Sequence, residues 1–598
     1  MKRKIISALL ALALVFALIP AAHAEAASPV SRDLNDYNRH DYEKVAAFLE
    51  NADENGVKNG EKLSACYDVN DPSTWGENYF SWVERDGELR IYEVVTGDEE
   101  NWYIDVSGFL DLSGCTALYV ADVSQSSVTG ADLSDCGELE GFYASYSLLT
   151  EADVSGCVSL KAIDVQSNSL AEIDVGDCMQ LEYLYVDDNR LTELDVSGHG
   201  ALLSLFCQAN EIETITGLED CAALSDLACE SNRIGSIDLS PFASLSSLSI
   251  GYNELTELDI SHNPELGWLS VPGNHLSELD ISFNPGIWGL YVQENELTEL
   301  DVSGHTGIQV LYCWDNELDE IKGLEDCGSL MVLAARNNRI AELDVSCFPE
   351  LIMLDCAGNL MTGIDVSHNP ELFVLQCNDN RIKELDLSHN PGITTLWVQG
   401  NELNELDVSN LSGLGEFDCS FNELTEIDIS SNRELYLFRC VGNPVTGIDV
   451  SGAPGLPFGA VLTENGGTVG YESWCWYDDI GYSHDYLNLY AVPDPGYEFE
   501  GWYDPSGNLL STDPVFDVTE FTGSDTFIAR FTPAGGAVTG DIDGDGETSL
   551  GDALTVMRCA LELIELSPEQ LELADANGNG AVELADALLI LRIALAIF

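Results

Sequence analysis

The stretch LEYLYVDDNRLTELDVSGHGA, from Leu181 to Ala201, contains the pattern that organises most of this 598-residue chain. Its frame, L-x-x-L-x-[CVI]-x-x-N-x-L-x-x-L-D-V-S, recurs every 21 residues, with two steps of 22. One unit is too short to bury its own apolar face, whereas stacked units bury it continuously. The pattern therefore predicts a solenoid of about sixteen coils over residues 97–457.

Two polar columns repeat with the coils. The asparagine of the frame is expected to point inward, where its amide can satisfy backbone groups of the turns. The aspartate of L-D-V-S is expected to accept hydrogen bonds from turn amides. A catalytic or metal-binding row of aspartates is the alternative, but recurrence once per coil favours the structural role.

The 17 cysteines follow the same register. Seven occupy the sixth position of a coil, where valine or isoleucine stands elsewhere, and six lie three residues before a coil begins. Interchange with aliphatic residues indicates buried packing thiols. Strands about 4.8 Å apart leave disulfides within reach, but parallel side chains in register are poorly aimed for one. We expect mostly free, inert thiols, with a redox or metal role as the less favoured alternative.

This repeat, with its cysteine column, resembles the bacterial leucine-rich repeats of the internalin family, in the subgroup with a cysteine ladder. The resemblance implies an α/β solenoid with a parallel sheet on its concave face, used for adhesion or ligand binding. It does not identify the ligand.

Aromatic residues occupy many of the variable positions between the leucines, which face the open side of the sheet. Exposed rings on such a face indicate a binding surface for a protein or a glycan. The alternative is that neighbouring rings stack and only stiffen the sheet. The predicted ligand-binding residues are Tyr185, Phe206, Trp268, Trp288, Tyr291, Tyr312, Trp314 and Trp397.

The segments before the solenoid have separate roles. Residues 1–24 combine a basic start, an apolar core and a small-residue site, as in a cleaved signal peptide. Residues 25–96 are expected to cap the first coil, and DYEKVAAFLENAD predicts an amphipathic helix with Val45, Phe48 and Leu49 on one side.

After the solenoid, residues 458–533 alternate aromatic strands with Pro-Gly and Ser-Gly turns and predict a small all-β module. The run GYEFEGWYD resembles the divergent B-repeat modules that follow internalin-like repeats, which implies a spacer or a second adhesion module. We favour a core position for Trp502 over a carbohydrate-binding one. Residues 534–540 predict a linker.

Two acidic loops end the chain: DIDGDGETSLGD, from Asp541 to Asp552, and DANGNGAVELAD, from Asp575 to Asp586. Calcium requires several oxygen ligands around a tight turn, which Gly546 and Gly580 permit. Each loop is followed by a helix, and a short helix capped by Ser567 joins the two halves. The predicted ligands are Asp541, Asp543, Asp545, Glu547, Ser549 and Asp552, then Asp575, Asn577, Asn579, Ala581, Glu583 and Asp586.

This doublet is similar to a type I dockerin, a small all-α module, over residues 541–598. The resemblance implies two calcium ions and docking onto a cohesin of a cellulosome-type complex for polysaccharide breakdown. The usual Ser/Thr pair is absent from the first recognition site, which leaves the cohesin class open. The implied cohesin-binding residues are Leu550, Gly551, Arg558, Cys559, Leu584, Ala585, Arg592 and Ile593.

The net charge of the chain narrows the classes of partner that it can bind. The 23 basic and 104 acidic residues give a net charge of −81, which disfavours nucleic acid and anionic membranes as partners. No later stretch is apolar enough for membrane insertion, and no H-E-x-x-H, G-x-S-x-G or Walker motif is present. We therefore predict a secreted, extracellular, non-catalytic binding or adhesion subunit. The alternatives are an enzyme subunit with an unrecognised active site and a spacer without a specific ligand.

Overall fold

The computed structural model describes residues 34–76, 78–96, 104–453, 456, 460–464, 466–477, 483–519, 526–533, 542, 548–561, 564, 566–574, 576, 582 and 584–594. The predicted signal peptide and linker lie outside these residues. The chain divides into two compact units, Met1–Cys327 and Gly328–Phe598, and each is considered by itself.

The first unit begins with helix α1 (Arg39–Glu50), which buries Val45, Phe48 and Leu49 as predicted. Helix α2 (Asn59–Leu63) follows, between 3-10 turns at Leu34–Asp36 and Pro72–Thr74. Strands β1 (Phe80–Arg85) and β2 (Glu88–Val95) form an antiparallel hairpin. The buried Asp41 carboxylate accepts two hydrogen bonds from Arg90 and ties α1 to this hairpin.

In the first unit, successive coils contribute three-residue strands to the main parallel sheet, and the middle residue of each is buried; further strands of two to six residues form small separate sheets. In the pair β9 and β11, for example, Leu184 lies opposite Leu205 and both are buried. The strands are β3 (Ser107–Asp111), β4 (Val120–Asp122), β5 (Ser127–Asp132), β6 (Gly141–Tyr143), β7 (Ala152–Asp153), β8 (Ala162–Asp164), β9 (Tyr183–Tyr185), β10 (Leu194–Asp195), β11 (Ser204–Phe206), β12 (Ile215–Thr216), β13 (Asp226–Ala228), β14 (Ser247–Ser249), β15 (Trp268–Ser270), β16 (Gly289–Tyr291), β17 (Leu300–Asp301), β18 (Val310–Tyr312) and β19 (Ile321–Lys322).

Parallel pairing runs through these coils, and hairpin strand β2 joins β4 in parallel at the start. The two 22-residue steps contain short 3-10 turns, Leu218–Asp220 and Leu324–Asp326, which accommodate the additional residue. In the second unit the coils continue the same pattern with β20 (Val332–Ala334), β21 (Met353–Asp355), β22 (Val374–Gln376), β23 (Thr395–Trp397), β24 (Glu416–Asp418) and β25 (Leu437–Arg439). The predicted leucine-rich repeat solenoid fold is confirmed.

Both polar columns have the predicted structural role. Asn274 Nδ2 donates to Ile250 O of the preceding coil at 3.0 Å, and its Oδ1 accepts from Leu255 N at 3.1 Å. Asp195 Oδ1 accepts from Ser197 N at 2.9 Å and from Ser197 Oγ at 2.6 Å. The asparagines therefore connect neighbouring coils, while the aspartates close turns within a coil.

The cysteines three residues before each coil do more than fill space. Cys136 Sγ donates to Leu112 O at 3.1 Å, and Cys157 Sγ donates to Leu133 O at 3.1 Å. In five other coils the equivalent position is asparagine, and Asn263 Nδ2 donates to Leu239 O at 3.0 Å. Most members of the column are thus hydrogen-bond donors, a role that the interchange with asparagine could have suggested, whereas Phe242, Phe348 and Leu411 fill it with buried apolar side chains.

The β module of the second unit covers the last coil. Strand β28 (Gly467–Tyr477) pairs with β25 in antiparallel fashion, with Arg439 opposite Glu472. The buried Tyr471 ring lies 5.5 Å from Phe438, which lies 5.6 Å from Phe417, so the module extends the core column. Trp502 is buried, as favoured above. The strands are β26 (Gly447–Asp449), β27 (Ala460–Thr463), β28 (Gly467–Tyr477), β29 (Ser483–Pro493), β30 (Tyr497–Tyr503), β31 (Leu509–Ser511), β32 (Val515–Asp517) and β33 (Thr526–Pro533).

Three helices follow: α3 (Leu550–Ala560), α4 (Pro568–Ala574) and α5 (Leu584–Ala594). They share a small core that includes Val556, Ala574 and Ile590. Ser567 caps α4 as predicted, because Gln570 N donates to Ser567 Oγ at 3.2 Å.

Thiol labelling tests this packing. All sixteen cysteines whose side chains are described are free, and burial raises the pKa of thiols such as Cys207 to about 12. Exposed Cys66 and Cys347 should react with iodoacetamide in the native chain at pH 8, and the buried thiols only after unfolding. Peptide mass mapping would reveal this order. Loss of reactivity in the denatured, unreduced chain would instead show disulfides.

Candidate functional site

Helices α3 and α5 present matching apolar stripes to solvent. Leu550 and Leu554 on α3 are 55% and 43% exposed, while Leu584 and Leu588 on α5 are 48% and 57% exposed. Residues four apart lie on one helix face, and the α5 pair follows the α3 pair by 34 residues. The sequence analysis identified Leu550 and Leu584 but missed Leu554 and Leu588, which their helical spacing could have revealed.

Other predicted cohesin-binding residues flank these stripes. Arg558 continues the α3 stripe by one turn and is exposed, Gly551 is exposed, and Cys559 is half-buried. Ala585, Arg592 and Ile593 lie on α5, but their side chains lie outside those the structure describes.

The closing position of each acidic loop is a buried carboxylate. Asp552 and Asp586 occupy this position and are both buried. Asp552 Oδ1 accepts from Ile542 N at 2.8 Å, and Oδ2 accepts from Ser549 N at 2.8 Å and Ser549 Oγ at 2.7 Å. Ser549 also caps α3 by accepting from Gly551 N at 3.1 Å.

Of the twelve predicted calcium ligands, only Ser549, Asp552 and Asp586 lie among the described residues. A buried carboxylate at the first turn of a helix, aimed back at its loop, suits a hard cation that takes oxygen ligands. The described part of the loops therefore fits calcium. The ligands outside it are Asp541, Asp543, Asp545, Glu547, Asp575, Asn577, Asn579, Ala581 and Glu583.

The eight predicted ligand-binding aromatics are all half-buried. Four form a continuous cluster in the first unit: the Trp268 ring lies 5.1 Å from Trp288 and 4.5 Å from Tyr291, which lies 5.0 Å from Tyr312. We call these four residues the aromatic cluster. Trp314 stands two residues after Tyr312.

The other predicted aromatics lie apart from this cluster. Tyr185 and Phe206 stack at 4.8 Å in earlier coils. Trp397 belongs to the second unit, and its Nε1 is buried with no hydrogen-bond partner in the part of the chain that the structure describes.

Carboxyls that are buried or half-buried beside this sheet were missed by the sequence analysis. Asp122 and Asp164 lie in the coils directly before those of Tyr143 and Tyr185, Asp164 pairs in register with both tyrosines, and Asp187 lies two residues after Tyr185. Burial raises the pKa of the Asp122 and Asp164 carboxyls, and it raises the pKa of Asp187 to about 6. Asp122 and Asp164 hold the fifth position of their coils, where Tyr143 and Tyr185 stand in theirs, and this shared position could have revealed them.

Asp187 gives a prediction with a definite sign. Because its folded pKa is above its unfolded value, its contribution to stability is lost as the pH rises from about 4 to about 6. Asp187→Asn should therefore raise the Tm at pH 7 and leave it unchanged at pH 4, as measured by calorimetry. Asp195→Asn is the control, because turn hydrogen bonds from Ser197 lower the Asp195 pKa, and this change should not raise the Tm. Equal effects of Asp187→Asn at both pH values would contradict the assignment.

Two parts of the chain, the C-terminal residues and the repeat region, are similar to known proteins. Residues 539–593 match the family model of the type I dockerin domain. No curated protein matches the chain. No helix in the described part of the chain has the length and apolar composition of a membrane span.

Solved structures are similar to the repeat region. The functional domain of InlJ from Listeria monocytogenes, which includes a cysteine ladder, is 24% identical; the match covers 70% of this chain and 91% of that chain, with a TM-score of 0.53. InlF from the same organism is 22% identical; the match covers 50% of this chain and 85% of that chain, with a TM-score of 0.41. YopM from Yersinia enterocolitica is 24% identical; the match covers 57% of this chain and 72% of that chain, with a TM-score of 0.41. The chain thus has the leucine-rich repeat fold found in cysteine-ladder InlJ, and it carries a C-terminal type I dockerin domain.

Proposed function

We propose that this protein is a secreted, non-catalytic binding subunit that attaches through its dockerin to a cohesin of a cellulosome-type complex. The observation that carries the proposal is the duplicated pair of exposed leucines on α3 and α5, inside the matched dockerin residues. Exposed apolar stripes on an otherwise charged chain favour a protein partner. The signal-peptide pattern of residues 1–24 supports secretion.

Calcium has a defined part in this proposal. Bound calcium would be held by both loops, with Asp552 and Asp586 closing the coordination, and would neutralise carboxylates that otherwise repel one another. Asp552 stands at the first turn of α3 and also holds Ile542 N, so its position orients the helix that carries Leu550 and Leu554.

The repeats supply the recognition element in the same proposal. Their aromatic residues line one face of the sheet as half-buried rings, which provide contact area at low conformational cost. An enzyme with an unrecognised active site remains the alternative of a different class. A turnover screen on polysaccharides with the full chain separates the two, because a binding subunit releases no product.

Calcium removal tests the part that the loops play in docking. Adding EDTA to the full chain should abolish cohesin binding and leave the solenoid folded, because the asparagine bonds between coils and the aspartate bonds within turns lie inside the solenoid. Asp552→Ala and Asp586→Ala should each weaken calcium binding by ~10-fold or more, since each removes a closing carboxylate. Isothermal titration with calcium measures both changes, and Asp513→Ala in the β module is the control. Unchanged cohesin binding in EDTA would contradict the role of calcium.

The duplicated leucine stripes on α3 and α5 predict how the dockerin docks. If either helix can dock after a half-turn rotation, Leu554→Glu or Leu588→Glu alone should leave cohesin binding within ~3-fold, and the double variant should abolish it. Capture of the full chain on immobilised cohesins in calcium measures this. Leu509→Glu, at an exposed leucine of the β module, is the control.

A loss of binding with one single variant would restrict docking to that helix and contradict the two-way mode. Retention of binding by the double variant would remove the helices from the interface and overturn the proposed docking surface.

A further inference from the structure

Three coils share an arrangement that the fold does not require. Each places an aromatic residue at the fifth position and glutamine two residues later: Phe206 and Gln208, Tyr291 and Gln293, Trp397 and Gln399. In all three, the glutamine Oε1 is buried and has no hydrogen-bond partner among the described residues. Framework asparagines such as Asn263 and Asn284 also leave an amide oxygen unpaired there, but their amide nitrogens bond to neighbouring coils. The glutamines instead stand two residues after an aromatic ring at a variable position, which indicates acceptors available to a ligand.

Gln293 is the best-developed case. It is only 8% exposed, and it stands in the same coil as Tyr291 of the aromatic cluster. Its backbone is joined to both neighbouring coils, because Gly273 N donates to Gln293 O at 3.1 Å and Glu294 N donates to Trp314 O at 2.9 Å. The backbone of Gln293 is therefore held between the coil that carries Trp268 and the coil that carries Tyr312.

Glycines make room for the two tryptophans. A Cβ atom at Gly289 would lie 2.8 Å from Cε3 of Trp268, and one at Gly267 would lie 3.1 Å from Cδ1 of Trp288. Each ring thus occupies space beside the glycine of the neighbouring coil, where a larger residue would shift it. The rings are tilted against one another by 38° to 82°, so together they form one contiguous apolar platform that is uneven.

These features point to a hydroxyl-bearing ligand with apolar faces. Pyranose rings present C–H faces that pack on aromatic rings, and their hydroxyls can donate to a glutamine Oε1 such as that of Gln293. The net charge of −81 repels anionic chains. Strands about 4.8 Å apart repeat the platform at close to the length of one sugar unit in an extended chain.

We propose that the aromatic cluster with Gln293 binds an extended, neutral polysaccharide. This inference rests on the proposed function, in which the repeats are the recognition element, and it names the class of ligand. A basic protein would instead be drawn to carboxylates, among them Glu294 beside the cluster and Asp164 and Asp187 in earlier coils, and its binding would depend on these acids rather than on the rings.

The test is calorimetric titration of the full chain with hexasaccharides of β-1,4-linked glucose, mannose and xylose, with hexagalacturonate as the anionic probe. At least one neutral hexasaccharide should bind, and hexagalacturonate should not. Trp268→Ala should weaken binding by ~10-fold or more, and Gln293→Leu should weaken it by ~3- to 10-fold. Phe283→Ala is the matched control, because this ring is 54% exposed and outside the strands; its affinity should not change.

Each variant is also checked by thermal unfolding and by cohesin capture. Absence of binding to any neutral hexasaccharide, with cohesin capture intact, would overturn the glycan inference and leave the proposed attachment standing. Binding of polylysine that depends on Asp164 but not on Trp268 would also overturn it, in favour of a basic protein partner. If the chain without substitutions were not captured by any cohesin, that result would count against the proposed function instead.

Discussion

The asparagine side chain that joins one coil to the next is the interaction on which the repeat region depends. In each such pair, the amide nitrogen donates to a carbonyl of the preceding coil and the amide oxygen accepts a backbone N–H from it, as Asn274 does with Ile250 and Leu255. Buried backbone groups must be paired, so this clamp fixes the register between coils. Identical register aligns the variable positions in columns, and the aromatic cluster exists because of that alignment.

The same repetition creates exposed ends, and each unit covers one within itself. In the first unit, α1 and the β1–β2 hairpin supply apolar residues, and β2 continues the parallel pairing into β4. In the second unit, Tyr471 extends the column of Phe417 and Phe438. The β module is therefore a cap for the last coil, beyond the spacer or adhesion role that its B-repeat resemblance implied. Terminal caps of this kind are required for solubility in repeat proteins.

Periodic features were accessible from the sequence, and features that depend on one side chain's surroundings were not. The leucines, the asparagines and the turn aspartates recur once per coil, so their burial and bonding follow from the repeat. The residue before the asparagine has a left-handed backbone, as in Asp188. Glycine holds this place in four coils, at positions 273, 358, 400 and 442, and this preference could have predicted the left-handed conformation. By contrast, the unpaired Oε1 of Gln293 and the space beside Gly289 depend on packing between coils. At the dockerin, helical spacing would have revealed Leu554 and Leu588, whereas most loop ligands lie outside the described residues.

The central claim is that the chain is an attachment subunit that joins an extracellular assembly through its calcium-loaded C-terminal helices. Titration calorimetry of the full chain against a panel of cohesins, in calcium and in EDTA, tests it most directly. The account predicts a one-to-one complex with at least one cohesin in calcium and no heat of binding in EDTA. Failure of every cohesin to bind the calcium-loaded chain would contradict the claim and leave only the repeat surface as a binding site.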